Sequence, residues 1–181
     1  MIRFFDIIFS LIFILFFSPI FLTIIILIFF NSGKPIFYIS SRVGINGKNF
    51  IIYKFRTMEN EDREMPTKIG LYLRRTSLDE TLQFFNILKG DMSIVGPRPL
   101  PYHLNNQISN EQLNKRQSVR PGLTGLSQIN YKGKKRLLDE KVVLDLKMII
   151  NFNIFDYFKI IFLTIPVIFK RFYYNVKGKT L

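Results

Sequence analysis

Two arginines stand just upstream of a carboxylate pair in Arg74-Arg75-Thr76-Ser77-Leu78-Asp79-Glu80. The structural reading is a capping box. Ser77 would be the N-cap and Glu80 the third helical residue, reaching back to the Ser77 amide, while Asp79 would only complement the helix dipole. The chemical reading uses the same geometry. Free amides and partial positive charge at a helix start suit a phosphate, and two guanidinium forks add fixed positive charge. A carboxylate placed there could attack phosphorus and form an acyl phosphate. Such an attack on a diphosphate brings like charges together, and two unit charges about 4 Å apart repel by ~4 kcal/mol at an effective dielectric of about 20. Arginines and a divalent cation relieve that repulsion. With carboxylates and few other ligands, the metal expected is a hard one such as Mg²⁺.

Three further segments carry groups suited to phosphate. Lys54-Phe55-Arg56-Thr57 puts two cations at the end of a strand. Gly96-Pro97-Arg98-Pro99 fixes one arginine between rigid prolines. Arg120-Pro121-Gly122-Leu123-Thr124-Gly125 sets an arginine before a Gly-containing turn. Each also reads singly as a loop staple or a solvated charge. None matches the phosphate loop of nucleotide hydrolases or the dinucleotide fingerprint.

Composition narrows the chemistry. The 181 residues contain no Cys and no Trp, one His and 20 Phe. No disulfide, thiolate nucleophile or Cys-ligated zinc is possible. The lone His103 follows a Pro-rich loop and reads as a surface residue. Catalysis must rest on carboxylates, Lys, Arg, Tyr or hydroxyls. The formal net charge is +13, and residues 1–30 hold only Arg3 and Asp6, so the excess lies on 31–181. A basic domain of this kind takes an anionic partner. A membrane surface is favoured over nucleic acid, because the N-terminus is so apolar.

The elements that must position these groups follow from pattern. Ile7 to Phe30 carries no charge, and at about 1.5 Å per residue a helix of that length could cross a hydrocarbon core of roughly 30 Å. Ser18-Pro19 should bend or break it, giving either a kinked span or a re-entrant hairpin in which Ser18 supplies a hydroxyl to the freed backbone. Physics alone favours the kinked span. Asn31 to Pro35 is a turn. Strands at 36–39 and 50–55 predict a β-hairpin, with 42–48 as its loop, and 59–66 is a polar loop. Helices are expected at 68–75, from Ser77 to about Lys89, at 102–118 and at 137–150, with loops at 90–101 and 121–130. Asn153 to Tyr174, interrupted at Pro166, reads as a helix lying in a membrane interface or as a core helix. The fold class expected is irregular α+β: a membrane helix at 1–31, a small hairpin, and amphipathic helices on a membrane surface across 32–181.

Taken together and in order, these segments resemble the bacterial sugar transferase family, the small monotopic phosphoglycosyl transferases. The likeness rests on Ser18-Pro19, Tyr53-Lys54-Phe55-Arg56-Thr57-Met58, Thr76-Ser77-Leu78-Asp79-Glu80, the run from Asn86 to Leu100 and the run from Arg120 to Asn130. It implies a re-entrant helix at 1–31, broken at Ser18-Pro19, and a cytosolic catalytic domain at the inner membrane of a bacterium. It implies that Asp79 attacks the β-phosphate of a UDP-sugar, releases UMP, and passes the phosphosugar to undecaprenyl phosphate, with Mg²⁺ held by Asp79 and Glu80. Glu80 would complete the catalytic dyad, in metal binding or acceptor activation. Arg74, Lys54, Arg56, Arg98 and Arg120 would bind substrate. The product would initiate a surface glycan, with downstream glycosyltransferases as partners. The sequence departs from the family pattern in three places. Leu82 stands where the family has Pro, no Trp lies near Leu138, and Asn130-Tyr131-Lys132 replaces Asn-Gly-Arg. The likeness is to the minimal form of the family. The rival from another class is a non-catalytic basic protein binding anionic lipid or nucleic acid.

Overall fold

The structure is a computed structural model and describes residues 1–59, 65–130 and 137–176. Most of the expected 59–66 loop and the Tyr131-Lys132 departure lie outside the described residues. The elements are helix α1 (Ile2–Ser32), strands β1 (Phe37–Val43) and β2 (Asn49–Phe55), helix α2 (Lys68–Thr76), a 3₁₀ turn (Leu78–Glu80) and helix α3 (Gln83–Lys89). Strand β3 (Ser93–Val95), helices α4 (Tyr102–Asn105) and α5 (Asn110–Gln117), strand β4 (Gly122–Thr124), and helices α6 (Leu126–Ile129), α7 (Leu138–Ile149) and α8 (Ile154–Val176) follow. Mixed helix and small sheet around one long apolar N-terminal helix is therefore the observed class.

α1 runs as one helix through Pro19, so the expected break does not divide it in two. Pro19 has no N–H to give the Leu15 carbonyl four residues back. The Ser18 hydroxyl donates to that carbonyl instead, at 2.9 Å. The helix is long and apolar enough to cross a membrane, yet it lies on the rest of the protein along its length. Arg3 donates to the carbonyls of Ile87 and, at 2.7 Å, Leu88. Phe13 stacks on Phe84 with ring centroids 3.8 Å apart. Phe21, Ile24 and Ile28 are buried in a cluster with Phe55, Leu73 and Leu82. Its other face is bare: Leu15, Phe16, Leu22 and Phe30 are exposed. α8 likewise runs through Pro166 and leaves Phe155, Phe162 and Phe169 exposed.

β1 and β2 form the expected antiparallel hairpin, with Phe37 opposite Phe55 and Val43 opposite Asn49. A second sheet was not expected. β3 and β4 pair in parallel, Ser93 opposite Gly122 and Val95 opposite Thr124. Glycine makes the contact possible. A Cβ on Gly96 would come within 2.4 Å of the Arg120 carbonyl, and one on Gly122 within 2.0 Å of the Gly96 nitrogen. Ile52 of β2 and Val95 of β3 share a core with Ile87, Met92, Met148 and Tyr157.

Two helix expectations are corrected. The single helix from Ser77 to Lys89 is a 3₁₀ turn followed by α3, because Ser77 ends α2 in the left-handed region at φ 59° and its side chain caps nothing. The capping box therefore does not form. The helix expected at 102–118 is split into α4 and α5, where Ser109 caps α5 by accepting from the Gln112 amide.

Candidate active site

Asp79 sits at the bend between α2 and α3, in the 3₁₀ turn rather than at an α-helix start. Its neighbours are set by long-range bonds. The buried Asn86 side chain accepts from the Tyr53 amide at 3.1 Å and donates to the Ile51 carbonyl at 2.6 Å. It thereby holds β2 on α3 and brings Lys54 over the turn. Thr67 caps α2 by accepting from the Gly70 amide, and Gly70 lets α2 press against the Thr57 backbone. Arg74 Nε then donates to Thr57 Oγ1 at 2.9 Å. The abutting Gly96 and Gly122 segments fix Arg98 on the opposite side.

The two adjacent carboxylates are treated in opposite ways. Glu80 is saturated. Lys54 Nζ reaches its Oε1 at 2.7 Å, while Arg98 grips it with both terminal nitrogens, one of them 3.1 Å from Oε2. Burial works to raise the Glu80 pKa, but Arg98 and Lys54 outweigh it and hold the group at about 2. Asp79 is 8% exposed, and among the described residues no side chain bonds its carboxylate, which meets only its own backbone amide. Burial, then the Glu80 charge, push its pKa up to about 6 against the pull of Lys54 and Arg74.

Two clefts meet at this carboxylate. One, of about 600 Å³, runs past Glu80 and Arg98 to Arg116, Gln128 and Asp145. The other, of about 970 Å³, runs along Phe37, Tyr38 and Ile39 to Arg56 and Thr57. Arg42, Lys54, Arg74 and Asp79 line both. Four cations, counting Arg98, thus surround two carboxylates, an arrangement suited to an incoming polyphosphate. In-line attack by Asp79 on such a group is chemically available.

The structure brings together Lys54, Arg74, Asp79, Glu80 and Arg98 from the sequence reading. Arg56 lines the second cleft, but its guanidinium is spent on the carbonyls of Pro35, Met58 and Glu59 at 2.9–3.2 Å. Arg120 lies elsewhere, with Nε on the Gly90 carbonyl at 2.9 Å, in a separate cleft beside Arg3 and Asp6. For a metal, the donor set fits only in part. Asp79 is free to ligate, and Mg²⁺ needs only one or two carboxylates beside phosphate oxygens and water. Glu80 as placed does not fit, since its oxygens are held by Lys54 and Arg98. Among the described residues no cluster of three or more acidic or histidine side chains could hold an ion.

Sequence reasoning missed Arg42, which looked like a hairpin-loop residue but extends β1. It also missed Gln83, Arg116 and Asp145, which carry no local motif of their own, and Gln128, which lies in the Arg120 to Asn130 run but was not singled out. Arg116 Nε meets Asp145 Oδ2 at 2.9 Å, and the pair is 7% and 1% exposed.

Comparison with known proteins shows the family. The family model described as bacterial sugar transferase matches residues 1–171. A UDP-glucose:undecaprenyl-phosphate glucose-1-phosphate transferase of Klebsiella pneumoniae is 39% identical over 177 residues, covering 88% of this chain and 38% of that protein. A UDP-N-acetylgalactosamine-undecaprenyl-phosphate N-acetylgalactosaminephosphotransferase of Aeromonas hydrophila is 35% identical over 171 residues, covering 86% of this chain and 40% of that protein. An exopolysaccharide production protein of Rhizobium meliloti is 33% identical over 199 residues, with 92% and 84% covered. The chain therefore spans about two fifths of the first two relatives and most of the third. This chain belongs to the bacterial sugar transferase family.

Proposed function

We propose that this protein transfers a sugar 1-phosphate from a UDP-sugar to undecaprenyl phosphate and so initiates assembly of a bacterial surface glycan. The observation that carries this reading is the buried Asp79 carboxylate, bonded by no side chain among the described residues and ringed by cations where two clefts meet. The donor lies in the cleft past Arg98, with its diphosphate against Arg74, Lys54, Arg98 and Arg42. An Asp79 oxygen attacks the β-phosphorus. The bond from that phosphorus to the bridging oxygen breaks, and UMP leaves with the electron pair. A phosphate oxygen of the lipid then attacks the phosphosugar, and the P–O bond to Asp79 breaks. The lipid diphosphate-sugar departs and the carboxylate is restored. Glu80 holds Lys54 and Arg98 in place for both steps. Asp79 would hold Mg²⁺, which would supply neutralisation of phosphate charge.

The second cleft suits the lipid. Phe37 and Ile39 are 49% and 61% exposed at its rim, on the hairpin that follows α1. The placement of α1 supports a re-entrant helix on the cytoplasmic face of the inner membrane. A helix crossing the bilayer would carry Arg3 and Asp6 roughly 30 Å away from the catalytic domain. Instead both bond to it, on the same body that holds Phe21 and Ile28. The bare apolar faces of α1 and α8 would then sit in lipid, and downstream glycosyltransferases would take the product at that surface. The rival reading, a non-catalytic binder of anionic lipid or nucleic acid, leaves the Asp79-Glu80 pair without a purpose.

Incubating the protein with a panel of UDP-sugars and Mg²⁺, without lipid, tests the mechanism. Intact mass should rise by one sugar phosphate on Asp79, and the adduct should vanish when undecaprenyl phosphate is added. UMP release that requires lipid and leaves no adduct would exclude the covalent route.

A further inference from the structure

The donor cleft changes character along its length. At Asp79 its lining is rich in cations. Farther in, the charges pair off: Arg116 binds Asp145 and also donates to the Arg98 carbonyl, while Lys141 stays at the exposed rim. Three residues lining this cleft each carry a buried polar atom with no partner among the described residues: Gln83 Nε2, Gln128 Nε2 and Asp145 Oδ1. Gln83 is 2% exposed and Asp145 1%. Native interiors rarely leave such groups unpaired.

Proton accounting shows that the shortfall is not a matter of hydroxyl orientation. Ser127 Oγ donates to Gln128 Oε1 at 2.8 Å, and it also lies within hydrogen-bonding reach of Asp145. A hydroxyl has one proton. Given to Gln128, it leaves Asp145 Oδ1 open. Given to Asp145, it leaves the Gln128 carbonyl open as placed, and with the amide turned over Nε2 donates to Ser127 Oγ and the carbonyl takes the unpartnered position, so one Gln128 group stays open in either orientation. Gln83, on a different helix, lacks a partner in either case.

We infer that this wall, formed by Gln83, Gln128 and Asp145, is the subsite for the neutral hydrogen-bonding part of the donor, a group presenting both donors and acceptors. This inference rests on the reading of the protein as a nucleotide-sugar transferase and extends it to donor recognition. Two parts of a UDP-sugar have that chemistry: the imide edge of uracil, and the hydroxyl or acetamido groups of the sugar. A charged middle flanked by neutral ends matches a cleft that is cationic at Asp79 and charge-paired beyond it.

The test uses the full chain and the UDP-sugar that the wild type turns over. Gln128→Leu removes the amide but no existing bond to its Nε2. The expected result is a KM for the donor at least ten times higher, with kcat within threefold and Tm unchanged or raised. A purely structural Gln128 would instead give a lower Tm with an unchanged KM. Inhibition by UMP then assigns the source. If UMP inhibition weakens by the same factor as the KM, the subsite reads uracil. If only the KM moves, it reads the sugar. Gln83→Leu, on α3, serves as the second probe should Gln128→Leu fail to fold. Donor KM values within twofold of wild type for whichever of these variants fold would overturn the subsite. Absence of UMP release by the wild type from any UDP-sugar would instead overturn the transferase reading beneath it.

Discussion

Asp6 and Asp79 are both buried, at 1% and 8% exposure, and the protein uses them in opposite ways. Asp6 Oδ1 accepts from Ser93 Oγ at 3.0 Å, the Ile94 amide at 2.9 Å and the Tyr157 hydroxyl at 2.9 Å. Those bonds join α1, β3 and α8, elements separated by as many as 151 positions. Among the described residues Asp79 accepts from no side chain, only from its own backbone amide. A buried carboxylate surrounded by donors is a rivet, because each charge-assisted bond is realised in the resting protein. One left bare, with cations near but not touching, holds its bonding capacity for something that arrives. Burial alone therefore does not distinguish structural from reactive carboxylates. Satisfaction does.

The comparison breaks most sharply at Asp79. Asp79→Asn should lower lipid-dependent UMP release by at least ~10³-fold, as expected when a nucleophile is lost. It should also make the protein more stable. A folded-state pKa of about 6, above the ordinary 3.8, means the fold prefers the neutral carboxyl. Ionisation then erodes stability as pH rises from about 4 to about 6, by an amount on the order of 2–3 kcal/mol. Asparagine escapes that loss, so thermal melts at pH 7.5 should show the variant above wild type. A variant less stable than wild type would mean that Asp79 is a second rivet.

Asp6→Ala should do the reverse. Three donors lose their acceptor in the interior, at ~1–3 kcal/mol for each group left unsatisfied. The expected loss is ~3 kcal/mol or more, read by denaturant or thermal unfolding in detergent. The fraction that remains folded should turn over within about threefold of wild type. An intact melting curve with lost turnover would bring Asp6 into the chemistry and collapse the contrast.

Glu80→Gln sharpens the difference between the two adjacent carboxylates. Glu80 is held at about 2, below its ordinary 4.5. The stability it contributes is therefore complete above about pH 4.5 and lost as pH falls toward 2. Replacing it should cost about 1–2 kcal/mol, a figure discounted for solvent because the Arg98 side chain is 43% exposed. It should also move the acid limb of the pH–rate profile, which lies near pH 6 if Asp79 must be ionised. Loss of the Glu80 charge and release of two cations both favour ionised Asp79, so the limb should shift to lower pH. Turnover above pH 7 should fall by about tenfold as Lys54 and Arg98 lose their clamp. A limb that stays in place would detach it from Asp79.

These contrasts were only partly legible in the chain. The hairpin, α2 and α7 announce themselves through local pattern, and the cationic segments around Asp79-Glu80 stand in plain sight. β3 and β4 do not, because three-residue strands have too few positions for alternation to show, and their pairing depends on two glycines meeting across a loop. The break at Ser77 was hidden for a related reason. The sequence around it satisfies a capping pattern, and only tertiary packing decides that Ser77 closes α2 in the left-handed region instead. Asp6 was least legible of all: a lone charge near an apolar terminus, with acceptor geometry fixed by residues about 90 and 150 positions away. Arg116 and Asp145 share that difficulty, 29 positions apart and with no motif to link them.

Arg120 offers the smallest effect and the finest test. Its place in a Gly-containing turn suggested a phosphate ligand, but its Nε bonds the Gly90 carbonyl, just past the end of α3. Arg3 reaches the Ile87 and Leu88 carbonyls from the other side. Two guanidinium groups thus meet the last carbonyls of the helix that begins beside the catalytic turn, which is the favourable end of a helix dipole for a cation. Arg120→Ala should lose about 1 kcal/mol of stability, one such hydrogen bond, and leave the donor KM within about threefold. Arg98→Ala, by contrast, removes a group from the cleft itself and should raise the donor KM by at least tenfold. If Arg120→Ala shifts the donor KM as far as Arg98→Ala does, the cleft at Arg120 belongs to the substrate, and the division between capping and binding arginines is wrong.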